Sequence, residues 1–219
     1  MRREYFEGMY AASPDPWEFA TRWYERRKYA LTLAALSRPR YRSAFEPGCS
    51  IGVLTQALAL RCDRLLSVDL VDAAVRQCRT RTANLPSAAG QVEVRQWDAT
   101  NDDWPDESFD LVVVSELLYY LETEQAERFV RSAVAHLDDD GEMMLVHWRP
   151  RVREYPLTGD EAHAIARRVS GWRRPGTTRT PTWSSTGFNG QARAARGRRK
   201  VCARTGFREV RPGWGSLSC

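Results

Sequence analysis

Short apolar runs alternate with amphipathic stretches along most of this chain. Ser43–Glu46 reads as a strand, followed by a Gly-bearing turn and a helix from about Ile51 to Leu60. Leu65–Asp69 reads as a second strand, with a helix over roughly Val71–Ala83 behind it. Gln91–Arg95 is a third strand, in which Val92 and Val94 alternate with polar neighbours. Phe109–Ser115 contains Leu111-Val112-Val113-Val114 without polar alternation, the pattern of a central parallel strand covered on both faces. A helix over Thr123–Leu137, stopped near Asp140-Gly141, and a fifth strand over Glu142–Trp148 complete the series. Upstream, Thr21–Leu36 has helical spacing and is ended by Ser37-Arg38-Pro39. Strand–helix alternation at this spacing predicts an α/β fold, a doubly wound Rossmann-like sheet with helices on both faces.

Composition narrows the picture. With 219 residues, 42% hydrophobic and 28% charged, the chain suits one ordered domain. No apolar run approaches the length of a membrane span, and the basic start lacks the apolar stretch of a secretory signal. Five cysteines without a C-x-x-C pair or a close His partner argue against a disulfide framework and against a zinc site. The expected location is the cytoplasm, and no metal is expected.

The net charge of +5 is unevenly spread. Residues 171–219 hold 11 of the 33 basic residues, one acid, and eight of the 14 glycines. The rest of the chain is net acidic, so it gives no reason to expect nucleic acid. Three parts follow: an aromatic-rich N-terminal helical lid over 1–42, a ligand-binding core over 43–170, and a basic Gly/Arg-rich tail over 171–219. That tail reads as poorly ordered, or as a degenerate end.

The candidate chemistry lies in Phe45-Glu46-Pro47-Gly48-Cys49-Ser50-Ile51-Gly52. Small residues at 48, 50 and 52 let the backbone pass close to a ligand, at the sheet edge where such folds bind ligands. A dinucleotide fingerprint would need Gly at 48, 50 and 53, and the chain has Gly48, Ser50 and Val53. Asp69 ends the second strand, where an acceptor-only carboxylate can take both hydroxyls of a ribose. Asp98, after the third strand, can accept from an adenine amino group. His136 and His147 are isolated and read as structural.

The acid before the first Gly and the small residues at alternate places resemble the first motif of class I S-adenosylmethionine-dependent methyltransferases, with Ser50 in place of the middle glycine. Asp15-Pro16-Trp17, Trp23-Tyr24-Glu25-Arg26-Arg27-Lys28-Tyr29 and Ser115-Glu116-Leu117-Leu118-Tyr119-Tyr120-Leu121 carry the likeness further, to the nodulation protein S group, from about Tyr5 to His163. That resemblance implies an N-methyltransferase using S-adenosyl-L-methionine, acting on an amine of a chitooligosaccharide or of another small molecule. It also implies a closing antiparallel hairpin, which residues 171–219 do not visibly supply, so that the hairpin is expected to be missing or degenerate. It implies cofactor contacts from Glu46, Gly48, Cys49, Ser50 and Gly52 in the loop, and from Asp69, Leu70, Asp98, Ala99 and Ser115 at the strand ends. Trp17 and Tyr24, with Tyr10, would close over the donor. Glu116 and Tyr119 would orient the acceptor and remove its proton. Two other readings remain: a non-catalytic or C-terminally degenerate cofactor-binding module, and an NAD-dependent oxidoreductase sharing the sheet and Asp69.

Overall fold

In the computed structural model, residues 3–101, 104–170, 173–179 and 183–189 are described. Two N-terminal helices, α1 (Arg3–Ala12) and α2 (Trp23–Ala35), precede β1 (Tyr41–Pro47), α3 (Val53–Leu58), β2 (Cys62–Asp69), α4 (Asp72–Thr82) and β3 (Gln91–Gln96). There follow β4 (Phe109–Ser115), α5 (Thr123–Ala135), β5 (Leu137–Trp148), α6 (Gly159–Ser170), β6 (Arg173–Arg179) and β7 (Trp183–Asn189). One sheet takes the order β3-β2-β1-β4-β5-β7-β6. The first five strands are parallel, and β7 runs antiparallel to both of its neighbours, β5 and β6.

β4 is central, as its unbroken apolar run predicts. Val112 and Val114 pack with Phe45, Phe129, Met143 and Ile165 on one face, while Leu111 and Val113 pack with Leu54, Leu65 and Met144 on the other. With α5 and α6 covering one side and α3 the other, both faces of the sheet are shielded from water. The helix α5 starts in a capping box, in which the Glu122 side chain and Gln125 cap each other's amides.

Three features differ from expectation. Arg3–Ala12 is a helix in its own right, anchored by Arg3 to the Leu70 carbonyl at 2.9 Å. The helix α5 ends at Ala135 rather than Leu137, because Leu137 already pairs with Phe109 in the sheet. The closing hairpin is not missing: β6 and β7 pair with each other, and β7 pairs with β5 from Glu142–Asn189 to Trp148–Trp183. Composition underrated this segment because edge pairing is driven by peptide groups, which need no apolar side chains to be satisfied. The expectation of a poorly ordered tail at residues 190–219 lies outside the described residues. No helix among the described residues is long and apolar enough to cross a membrane.

Candidate active site

Parallel strands bring the carboxyl ends of β1, β2, β3 and β4 to one edge of the sheet. Strand order reverses there, since β1 has β2 on one side and β4 on the other. A crevice opens at such a switch point. In this chain it is a cleft lined by the β1–α3 loop, the ends of β2 to β4, and aromatic rings from the N-terminal segment.

The loop after β1 turns through three left-handed residues at alternate positions: Gly48 (φ +77°), Ser50 (φ +50°) and Gly52 (φ +82°). Each glycine answers a different need. A side chain at Gly48 would meet only Leu117, with Cδ1 at 3.5 Å, so the backbone conformation is what demands glycine there. At Gly52 a Cβ would lie 2.7 Å from Cys78 Sγ and 2.9 Å from Cys78 Cα, so Gly52 lets α4 approach the loop. Gly52 does not line the cleft, whereas Gly48, Cys49 and Ser50 do.

Ser50 holds a conformation that usually selects glycine, and it has two compensating contacts. Its N–H donates to Asp69 Oδ2 at 2.9 Å, and its hydroxyl shares a 2.6 Å hydrogen bond with the Tyr10 hydroxyl. The lid helix α1 is therefore tied directly to the loop. Burial, reinforced by the nearby Asp69 carboxylate, holds the Tyr10 phenol well above its ordinary pKa, so the hydroxyl stays protonated.

Asp69 Oδ1 accepts from the Val71 N–H at 3.0 Å. The Leu70 N–H adds a further, smaller stabilisation of the carboxylate, which lines the cleft and retains acceptor capacity there. Burial raises its pKa, against the backbone hydrogen bonds that lower it. Glu46 is buried beneath the loop and lines the cleft. Its Oε2 accepts from Thr55 Oγ1 at 2.6 Å and Ser67 Oγ at 2.7 Å, and burial pushes its pKa up to about 7. Asp98 accepts from the Thr100 N–H at 3.0 Å, the Thr100 hydroxyl at 2.6 Å and the Asn101 amide at 2.8 Å. Burial raises the Asp98 pKa, but these hydrogen bonds outweigh it and the net shift is downward. Leu70, Ala99 and Ser115 also line the cleft.

The lid side is aromatic. Trp17 meets Tyr10 edge-on at 5.7 Å and stacks on Phe19 at 5.5 Å, and all three rings face the cleft. Tyr24 does not line it; its ring packs edge-on against Trp148 at 5.4 Å. Phe6, Phe19, Tyr29, Trp97, Leu117 and Tyr120 line the cleft without having been singled out from the sequence. The density of aromatics in the first 29 residues was a visible signal, but which rings turn inward depends on how α1 and α2 dock.

On the β4 side, Glu116 lies in the left-handed region at φ +54° and lines the cleft. Its Oε2 accepts from the Tyr119 hydroxyl at 2.6 Å and the Trp148 N–H at 2.8 Å, and its Oε1 accepts from Lys28 Nζ at 2.7 Å. Tyr119 is buried behind Glu116 and does not line the cleft. Burial, with the Glu116 charge beside it, holds the Tyr119 phenol well above its ordinary pKa, so it donates to Glu116 and is no base. His147 is buried between the Leu118 N–H, which donates to its Nε2 at 3.1 Å, and His163 Nε2, 3.0 Å from its Nδ1. Desolvation drives its pKa down to about 3, in keeping with a structural role.

The residues present fit S-adenosylmethionine. The Asp69 carboxylate keeps acceptor capacity for ribose hydroxyls, the flat apolar walls at Leu70, Trp97 and Ala99 suit a purine, and Glu46 with the lid rings offers an environment favourable to a cation.

Comparison with known proteins places this geometry. The family model for nodulation protein S matches residues 7–161. Nodulation protein S of Rhizobium tropici is 36% identical over 113 residues, covering 50% of this chain and 44% of the relative. That of Bradyrhizobium diazoefficiens is 33% identical over 132 residues, covering 59% of this chain and 60% of the relative. The chain thus spans about half the length of these curated relatives. Among solved structures, a methyltransferase candidate from Pseudomonas syringae superposes with a TM-score of 0.65 at 39% identity, covering 77% of this chain and 99% of that one. The N-methyltransferase NodS of Bradyrhizobium japonicum, in complex with S-adenosyl-L-homocysteine, has the same fold, with a TM-score of 0.76 at 22% identity over 87% of this chain and 98% of that one.

Proposed function

The chain belongs to the nodulation protein S family, and from that premise we propose that it is an S-adenosylmethionine-dependent N-methyltransferase. The acceptor is an amine, carried by a chitooligosaccharide or another small molecule, and the site of action is the cytoplasm. Buried free thiols at Cys49, Cys62 and Cys78 suit a reducing compartment. The observation that carries the reading is the left-handed turn at Gly48, Ser50 and Gly52 beside Asp69, whose half-buried carboxylate accepts the Ser50 N–H and lines the cleft.

S-adenosylmethionine, when bound, supplies a methyl group already activated on a sulfonium. The protein's own task is then positioning. Asp69 takes the ribose hydroxyls, Leu70, Asp98 and Ala99 hold the base, and Glu46, Gly48, Cys49 and Ser50 border the methionine portion. Tyr10, Trp17 and Phe19 exclude water above them. Holding nucleophile and methyl carbon in near-attack geometry supplies a large share of the catalysis such a transfer needs. Ser115 and Glu116 face the acceptor. The two donors on Glu116 Oε2 leave Oε1 as the oxygen able to accept an amine N–H, so Glu116 orients the nitrogen and offsets the positive charge that grows on it. Tyr119 supports Glu116 from behind.

The C-terminally degenerate reading loses its basis over residues 173–179 and 183–189, where β6 and β7 pair with each other and β7 with β5. The test uses labelled S-adenosylmethionine with a deacetylated chitin oligomer and its fully acetylated counterpart. Labelling of the free amine alone is expected, since an amide nitrogen's lone pair is delocalised. Equal labelling of both refutes amine methylation; labelling of neither, with S-adenosylhomocysteine still bound, rejects the sugar acceptor. Binding of NADH in preference to S-adenosylhomocysteine would replace the reading with the oxidoreductase one.

A further inference from the structure

Lys28 is the most deeply buried cation among the described residues, with its side chain only 1% exposed. Its ammonium lies 2.7 Å from Glu25 Oε2 and 2.7 Å from Glu116 Oε1, inside a cage of the Phe19, Tyr24 and Tyr29 rings at 5.5, 5.8 and 5.3 Å. Burying an ion pair of this kind adds little stability over a well-packed apolar substitute. If Lys28 only fastened α2 to the sheet, a methionine would serve. What a methionine could not do is hold a carboxylate.

Glu116 is the carboxylate in question, and its backbone is in a conformation sparsely populated by residues other than glycine. Such a residue keeps its place only where its surroundings over-determine it. Three donors do so here, from three parts of the chain: Tyr119 just after β4, Trp148 at the end of β5, and Lys28 on α2. The first two occupy Oε2. Lys28 is the only one of the three on Oε1, the oxygen with a lone pair left for the cleft.

We propose that Lys28 is a positioning residue for methyl transfer, aiming Glu116 Oε1 at the acceptor nitrogen from the lid helix α2. The kinetic part of this proposal rests on the methyl-transfer reading; the positional part does not. The lid and the acceptor site are thereby one mechanical unit, because the helix carrying Lys28 follows directly on the segment carrying Trp17 and Phe19.

Lys28→Met is the direct test. Because it leaves two carboxylates unpaired in the interior, the double variant Glu25→Gln/Lys28→Met accompanies it and carries the test if the single variant does not fold. The positional readout is amide hydrogen exchange at Trp148, whose N–H is held by Glu116. It is expected to quicken tenfold or more relative to Val146 in the same strand, and an unchanged Trp148 amide overturns the proposal. The kinetic readout is kcat against KM for the amine. A fall in kcat of tenfold or more is expected with KM and S-adenosylhomocysteine affinity within threefold of wild type. Glu116→Gln is expected to abolish the further effect of Lys28→Met, since the two act as a unit; losses that multiply overturn the proposal. A wild type that turns over no amine counts against the proposed function, while the Trp148 exchange still decides the role of Lys28.

Discussion

Replacing Asp69 with alanine tests the cofactor site at its most constrained atom pair. The carboxylate accepts the Ser50 and Val71 amides and keeps acceptor capacity for the ligand where it lines the cleft. A hydrogen bond to a charged group contributes about 1.5–3 kcal/mol, so losing two ribose hydroxyl contacts removes roughly 3–6 kcal/mol. At 1.4 kcal/mol per decade, S-adenosylhomocysteine should bind on the order of 10²- to 10⁴-fold more weakly. A second effect separates from the first. The Val71 and Ser50 amides lose their acceptor, at about 1–3 kcal/mol each where water cannot replace it, so the free protein should also melt lower. Asp69→Asn retains one carbonyl acceptor and should fall between wild type and alanine in both measurements. Calorimetric titration gives the affinity, and thermal melting without ligand gives the stability. A folded Asp69→Ala variant binding S-adenosylhomocysteine within threefold of wild type would refute the ribose assignment.

Gly48→Val should abolish cofactor binding, since a β-branched residue cannot comfortably adopt φ +77°; a folded variant that still binds in calorimetry removes the loop from the site. Glu46, with its pKa pushed to about 7 by burial, stays protonated in the free folded chain after it has ionised in the unfolded one. Stability should therefore fall as pH rises from about 4.5 to 7 and level off above that, by about 3 kcal/mol. Glu46→Gln should flatten this segment of the curve in denaturant titrations, and an unchanged slope rejects the assignment. A chain ending at residue 172 should melt lower and self-associate, because β5 then presents a bare edge in place of its pairing with β7. Unaltered melting and a monomeric profile would show that the hairpin contributes nothing.

Much of the site could be read along the chain because its signals are local. The spacing of Glu46, Gly48 and Ser50, the acid at the end of β2, and the run Phe109–Ser115 each depend on a few adjacent residues, and backbone sterics turn them into one kind of loop or strand. Asp69 and Ser50 lie 19 residues apart, yet parallel pairing of β1 and β2 obliges their strand ends to meet. Gly52 was legible as a small residue but not as the partner of Cys78, which depends on how closely α4 packs. Tyr24 and Trp17 look alike in the sequence; one turns to Trp148 and the other to the cleft.

The strand–helix alternation, the cofactor loop and the family all follow from residues near one another in sequence, where conformational preference and periodicity act. Lys28 and Glu116 are 88 residues apart, and no periodicity links them. Their pairing exists because α2 docks against the end of β4, and burial there makes a lone lysine untenable without a carboxylate. The same holds for the hairpin: the largely polar strands Arg173–Arg179 and Trp183–Asn189 carry little apolar periodicity, and β7 is ordered by the row of peptide groups that β5 offers, with β6 pairing on β7 in turn. Long-range electrostatics and edge pairing are properties of the folded surface, and only folding brings their partners within reach.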